Sequence, residues 1–468
     1  MGLALLIDFG STYTKVTAID LNTGSFLGRA QAPSTVATNV LDGFAEAQRT
    51  LERHLGFADS DVNLKLASSS AAGGLQMVAV GLIGRLTSEA ANRAALGAGA
   101  RVTDVFERGL NPTSIKLLEK SNPDIILLAG GIDGGNTDII LHNARQIGIS
   151  RVKPPVVVAG NALVAEQVRG ILSDYGHKVY LCDNVMPAMN VLNVESARET
   201  IREVFIDHIV EAKGLERVSD YLGDIVMPTP MAVLKMAELL SEGFGKKLGV
   251  GDVMVLDVGG ATTDVHTVSS GAPIEADVSV MGLEEPYAKR TVEGDLGLRV
   301  SATSLMDAIV RNRMPRHIRA ALEGNKTLLR MEYLTANTAT LPFELQEWEI
   351  DTKMAAAASF IASERHAGRL ETAKTDFGTT TMVQKGKDLT QMGTLIGTGG
   401  ILAFGRNPEI VLGECLFDKS DPHSLRPKNP KMFVDSDYAM YAGGLLATLY
   451  PEMAIKLLKN SLRAVEIP

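Results

Sequence analysis

Two stretches of the chain carry the residue types that bind phosphate. In LLIDFGSTYTKV, residues 5–16, an apolar run stops at Asp8, and Gly10, Ser11, Thr12, Tyr13 and Thr14 precede Lys15. In VMVLDVGGATTDVHTV, residues 253–268, a similar run stops at Asp257, and Gly259, Gly260, Ala261, Thr262 and Thr263 lead to Asp264. Glycine lets backbone N–H groups approach an anion closely, and hydroxyls add donors beside them. The acids would repel phosphate unless a cation intervenes. Mg2+, which keeps much of its hydration and bridges carboxylate to phosphate, resolves that conflict. Asp8, Asp257 and Asp264 are therefore candidate metal-facing carboxylates, and one of Asp257 and Asp264 is a candidate to orient an attacking water. Lys15 either neutralises phosphate charge or points to solvent. A polar turn explains either stretch alone, but one in each half of the chain points to two halves of one clamp. Neither is a GxxxxGK[ST] or GxGxxG loop. A third glycine-rich segment, LIGTGGILA at 395–403, offers Gly397, Thr398, Gly399 and Gly400. In this order it suits the adenosine end of a nucleotide.

The elements around these stretches follow from pattern. Residues 3–9 and 14–20 read as strands around a tight turn, with LNTG (21–24) as the next turn of an antiparallel meander. A helix over 41–55 is closed by Gly56. From about 64 to 210, the strands LKLASSS, DIILLAG, PVVVAG and KVYLCD alternate with helical patterns such as SEAANRAALGAGA, which predicts a parallel α/β unit. Within it, LLAGGIDGGNTDIILHNA (127–144) is either a tight strand-to-helix turn or a phosphate or partner contact. Helices are predicted at 195–214, from Thr229 (as N-cap, with Pro230 first in the helix) to Gly243 or Gly245, at 301–325 and at 352–368. The chain closes in a helix, SDYAMYAGGLLATLYPEM, whose Gly443–Gly444 pair points to close backbone approach. Met186, Met189, Met231 and Met236 read as core filler.

At 468 residues, two or three domains or subdomains are expected. A net charge of -9 argues against nucleic acid or an anionic membrane as partner. The two cysteines, Cys182 and Cys415, provide no disulfide framework, and the eight scattered histidines no zinc-hydrolase pairing. No apolar stretch reaches membrane-spanning length, and Asp8 interrupts the first apolar run, so a soluble cytoplasmic protein is expected.

The succession DFGSTYTK, LDVGGATTDV, IGTGGILA and DYAMYAGGLLA resembles the actin/Hsp70/sugar-kinase ATPase superfamily: first phosphate loop, second phosphate loop, adenosine loop and second connecting helix. That resemblance implies the α/β class and a two-lobed actin-like fold with ribonuclease H-like lobes, ATP and Mg2+ lying in the cleft. A first lobe over 1–225, with an α/β insertion at about 64–225, would be completed by a C-terminal helix at 437–468; the second lobe would cover 226–436. Longer stretches, LLAGGIDGGNTDIILHNA, PTPMAVLKMAELLSEG, VLDVGGATTDVHTV and KRTVEGDLGLRVSA, resemble the MutL-type proteins encoded beside glutamate mutase, an adenosylcobalamin-dependent mutase. (These are unrelated to the mismatch-repair protein of the same name.) The likeness implies an ATP-dependent accessory factor that helps damaged cobalamin leave the mutase, with mutase subunits as partners; a homodimer stays open. It also places EGDLGLR (293–299) near the phosphates, with Gly294 and Asp295 close to the nucleotide; a helix-entry turn capped by Ser301 or Asp295 is the other reading.

Two further functions share the same engine. A small-molecule kinase would need an acceptor pocket, for which no sugar- or acid-binding signature is present. An actin-like scaffold would bind ATP without useful turnover. The iron–sulfur activators of 2-hydroxyacyl-CoA dehydratases have a similar opening loop, but Cys182 and Cys415 do not resemble their ligand pair.

Overall fold

The computed structural model describes residues 2–35, 39–70, 75–82, 84–95, 98, 100–189, 191–212, 225–275, 278–282, 285–312, 314–374 and 380–467. The chain forms two compact units, one made of Met1–Ala72 with Val218–Pro468 and the other of Gly73–Arg217.

The larger unit contains two sheets with one topology. In the first, β1 (Leu3–Phe9), β2 (Tyr13–Asp20) and β3 (Ser25–Pro33) form the expected antiparallel meander. β4 (Val62–Ser69) pairs parallel to β1, and β10 (Ile225–Pro228) parallel to β4, giving the order β10-β4-β1-β2-β3. The second sheet repeats this with β13 (Val253–Val258), β14 (Thr263–Val268), β16 (Ala288–Glu293), β19 (Thr394–Thr398) and β20 (Lys431–Asp435). Its order is β16-β14-β13-β19-β20, extended by β21 (Leu462–Val465). Three antiparallel strands followed by two parallel ones, twice, is the ribonuclease H-like arrangement of the actin-like fold. Both central strands, β1 and β13, are buried almost throughout, as strands covered on two faces must be.

The helices Thr229–Glu242 and Met440–Leu446 pack between the sheets, in one core with Ala4, Leu6 and Leu66 of the first and Val253, Val255 and Ile396 of the second. Gly444 explains the small-residue signal: a Cβ there would lie 1.8 Å from the Ala232 carbonyl oxygen. The other face of the second sheet packs on the long helix Leu345–His366 in a separate core. Minor strands complete the unit: β11 (Gly243–Phe244) pairs with β12 (Lys247–Leu248), and β15 (Ser279–Val280), β18 (Thr380–Lys385) and β17 (Arg369–Lys374) form a three-stranded sheet.

The smaller unit is a five-stranded parallel sheet ordered β6-β5-β7-β8-β9: β5 (Leu75–Gly81), β6 (Ala100–Glu107), β7 (Ile125–Leu128), β8 (Val156–Val158) and β9 (Val179–Leu181). It has its own core, from Val78 and Val80 to Val168 and Leu172.

Several expectations need correction. LKLASSS is not the first strand of the α/β unit, because β4 is hydrogen-bonded along β1. β5 and β6 went unread, the second because an edge strand such as ARVTDVFE mixes polar and apolar residues. The predicted 301–325 helix is three: Ala302–Arg311, Arg316–Leu322 and, beginning at Asn325, a helix to Ala336. The helix predicted over 352–368 begins earlier, at Leu345. The closing helix breaks before Pro451 and restarts, and the chain then ends in β21 rather than in helix. Thr229 is the first helical residue and not the cap. Met189 is 63% exposed, unlike the core residue Met236. Positions 96–97 and 99 of one predicted helical stretch, and 213–214 of another, lie outside the described residues.

Candidate functional site

The two acid-ended hairpins occupy equivalent places in the two sheets. Asp8 is the penultimate residue of β1 and faces Lys15 of β2; Asp257 is the penultimate residue of β13 and faces Asp264 of β14. The register is the same, but the cross-strand partner differs in sign.

That difference sets the electrostatics. Asp8 is buried, and its carboxylate accepts from Lys15 Nζ at 2.8 Å and Thr229 Oγ1 at 2.6 Å. Lys15 is thus an inward-facing cation, 4.6 Å from the centroid of the Tyr438 ring. Among the described residues Asp257 has no such partner. Burial, then the charge of Asp264, push its carboxyl up to about 7; Lys15 and Arg290 act the other way, and Asp8 adds to the rise. Asp264, also raised by burial, is opposed by Arg290, whose Nη2 donates to Oδ2 at 3.3 Å. Burial and Arg290 hold His266 well below the ordinary histidine value.

The turns are built tightly. Gly10 N donates to the Tyr13 carbonyl at 3.1 Å, and Gly259 N to the Thr262 carbonyl at 2.9 Å. They also meet: a Cβ on Gly260 would lie 2.7 Å from Thr12 Cγ2. The 294–300 loop stacks on the second turn, with Leu298 N donating to Gly259 O and Arg299 N to Gly260 O. Gly294 O accepts from Ser301 Oγ, and Asp295 is bound to Arg365 at 2.8 and 3.0 Å, so its carboxylate is already engaged. Ser301 Oγ makes no cap bond to its own helix. The third segment follows β19, which lies parallel to β13 with Thr398 opposite Asp257. Gly399 turns the chain there at φ 99°, and Thr398 Oγ1 donates to the buried Asp435 at 3.0 Å. Ser11, Thr14, Thr263, Gly397 and Gly400 lie in or beside the same turns; Thr263 Oγ1 is used internally, on Leu296 O.

A run of ion pairs leads away from the second turn. Arg299 Nη2 donates to Asp351 at 2.7 Å and its Nε to Thr340 O at 2.9 Å. Arg330 spans Asp351 and Glu347, and Glu347 accepts from the backbone of Phe343 and Glu344. Tyr13 OH, from the first sheet's turn, donates to Ala339 O in the same segment at 2.5 Å.

Some of these residues had no motif to announce them. Asp435 caps the 440–446 helix through Ala439 N and Met440 N, and its signal was an acid just ahead of a small-residue helix. Tyr438 holds a left-handed φ of 57° beside Lys15, a strained state that no residue type reveals. Arg290 and Arg299 lie within KRTVEGDLGLRVSA, but no spacing cue singled out either one.

As a cofactor site the arrangement has definite capacities. Among the described residues no group of three or more histidines, cysteines or acids is placed to hold a metal. Asp8 is claimed by Lys15, which leaves Asp257 as the carboxylate without a hydrogen-bond partner of its own. One free carboxylate beside donor-rich turns fits a hydrated Mg2+ that takes its other ligands from phosphate and water; it does not fit an all-protein cage. The glycine-rich turn at 129–137 in the smaller unit is satisfied internally: Asp133 accepts from Ala162 N and Asn184 Nδ2, and Asn161 Oδ1 from Leu163 N.

The family model for MutL protein matches residues 4–462. Protein MutL of Clostridium tetanomorphum is 43% identical over 462 residues, 99% of each chain. Among solved structures, nucleotide-free acetone carboxylase is similar at 13% identity and TM-score 0.39, over 95% of this chain and 70% of that one. Xylulose kinase of Bifidobacterium adolescentis is similar at 13% identity and TM-score 0.32, over 99% and 96%. At those scores the fold rests on the strand order and not on the superpositions.

Proposed function

The chain belongs to the MutL protein family, and from that premise we propose an ATP-binding and ATP-hydrolysing accessory factor that assists or reactivates an adenosylcobalamin-dependent mutase of the glutamate mutase type. The observation that carries the ATPase part is the meeting of the two turns, Gly260 against Thr12, with the unpaired Asp257 beside them. In this reading Gly10–Lys15 and Gly259–Thr263 hold the phosphates, Gly294 and Asp295 stand close by, and Gly397–Gly400 lies against the adenosine. Mg2+, held through water beside Asp257, would supply charge neutralisation at the phosphate oxygens. Lys15 offsets Asp8, so the first turn presents donors to an anion without a net negative floor. Asp257, raised and unpaired, orients a water and accepts its proton at the carboxylate, while Asp264 is held away by Arg290. In this reading the chain divides into a first lobe over 1–225 with an α/β insertion, completed by the segment 437–468, and a second lobe over 226–436, except that β4 joins the first sheet and β21 the second; mutase subunits are the partners. Among the described residues no helix is long and apolar enough to cross a membrane.

The first experiment is ATP turnover by Asp257→Ala and Asp8→Ala. Asp257→Ala is expected to lose about a hundredfold or more in rate with its fold intact. Unchanged hydrolysis in both variants would sink the site. The second mixes the protein with cyanocobalamin-inactivated mutase, ATP and fresh coenzyme. ATP-dependent recovery of mutase activity is expected; ATP consumption that instead depends strictly on an added metabolite marks a kinase.

A further inference from the structure

Beneath the second phosphate turn, three adjacent side chains on one face of the second sheet are buried and incompletely bonded. Asp264 is 5%, His266 0% and Arg290 4% exposed. Asp264 and His266 alternate along β14, and His266 lies directly opposite Arg290 of β16. Their neighbours Val265 and Thr267 point the other way, to the core and to His366 of the 345–366 helix. The three therefore face the side covered by the Thr229–Glu242 helix, with which Val255 and Val268 of the same face share a core. Asp264 Oδ1, both ring nitrogens of His266, and Nε and Nη1 of Arg290 have no hydrogen-bond partner among the described residues. Two other buried polar groups nearby are served: His366 is held between Thr267 and Thr291, and Lys387 by two carbonyls.

Five orphaned polar atoms on three neighbours are too costly to leave dry, since each such group forfeits about 1–3 kcal/mol. Their chemistry says what would serve them. A neutral imidazole offers one donor and one acceptor, Arg290 offers donors only, and Asp264 Oδ1 is an acceptor. An anion would serve Arg290 but face the carboxylate; a cation would serve the carboxylate but face the guanidinium. Water satisfies both kinds of group.

We propose that Asp264, His266 and Arg290 enclose ordered water beneath the second phosphate turn, and that Arg290 and His266 are positioning residues that fix the Asp264 carboxylate through it. The positioning role rests on the ATPase reading; the hydration site does not. Water bridging Oδ1 to His266 and Arg290 leaves Asp264 no freedom to swing toward Asp257, its cross-strand neighbour. Asp257 thus keeps its place as the unpaired carboxylate of the cleft.

The test has two readouts. In a high-resolution crystal structure of the full chain, water is expected within hydrogen-bonding distance of both His266 and Arg290; no density there overturns the hydration site. In kinetics, His266→Leu is expected to lower kcat about tenfold or more while KM for ATP stays within about twofold. His266→Gln, whose amide keeps one donor and one acceptor, retains most of the rate. A His266→Leu enzyme with full kcat, or a His266→Gln enzyme as impaired as His266→Leu, overturns the positioning role. Thermal melting of both variants checks folding; if His266→Leu does not fold, His266→Met carries the same expectation. A wild-type chain that holds the water yet hydrolyses no ATP removes the ATPase reading and leaves the hydration site. Turnover without the water does the reverse.

Discussion

At the scale of single residues, the same register position carries opposite chemistry in the two lobes. Lys15 opposite Asp8 makes a closed pair, and Asp264 opposite Asp257 an open one. The acids were legible because each interrupts an apolar run. Their pairing was not, because a lysine after a turn reads equally as exposed or buried until the strand register is known. His366, Arg290 and Asp435 were invisible for a related reason: a buried polar residue looks like any other polar residue in a list of letters. His366 leads to a pH effect. Burial first, and then the Lys289 and Lys387 charges, hold its folded-state value well below the ordinary 6.5, and burial lowers His177 in the same direction. Unfolded histidine takes up a proton near that ordinary value while the folded rings do not, so their contribution is intact above about pH 6.5 and shrinks below it. Melting temperature is expected to hold between pH 7 and 8; below about 6.5 the histidines lower it. Asp257, whose folded carboxyl takes up a proton at about 7, contributes in the opposite sense, so the histidine part is read as the difference between wild type and variant. His366→Gln should flatten that slope; an unchanged slope counts against the assignment.

At the scale of elements, strands with a continuous apolar run were readable, and so were helix ends marked by Gly56 or a proline. What failed was membership. β4 has the composition of a strand from the parallel unit, yet it pairs with β1, and only backbone hydrogen bonding decides that. The Gly443–Gly444 signal was read correctly as close approach, but its partner, Ala232, lies more than two hundred residues earlier in sequence. The contact is to backbone, which cannot rotate away as a side chain can. Gly444→Val is therefore expected to cost about 3 kcal/mol or more in urea unfolding, at the upper end for overpacked cores. A valine at Gly170, where a Cβ would meet nothing within 4 Å, should cost far less.

At the scale of the whole molecule, the duplicated strand order makes the larger unit a pair of related lobes, and the smaller unit is a sheet of a different kind with a core of its own. The alternation of strands and helices announced that unit, although its first two strands were missed. A fragment covering 73–217 is expected to fold alone, with a cooperative urea transition by circular dichroism. A broad, non-cooperative loss of signal would show that it depends on the rest of the chain. The ion-pair run from Arg299 through Asp351 and Arg330 to Glu347 has a practical consequence. The chain's one tryptophan, Trp348, is the residue after that final glutamate and packs partly against the second core. The protein therefore carries a built-in fluorophore at the far end of a chain of ion pairs from its second glycine-rich turn, and its emission during titration with ATP tests the proposed nucleotide site without any label.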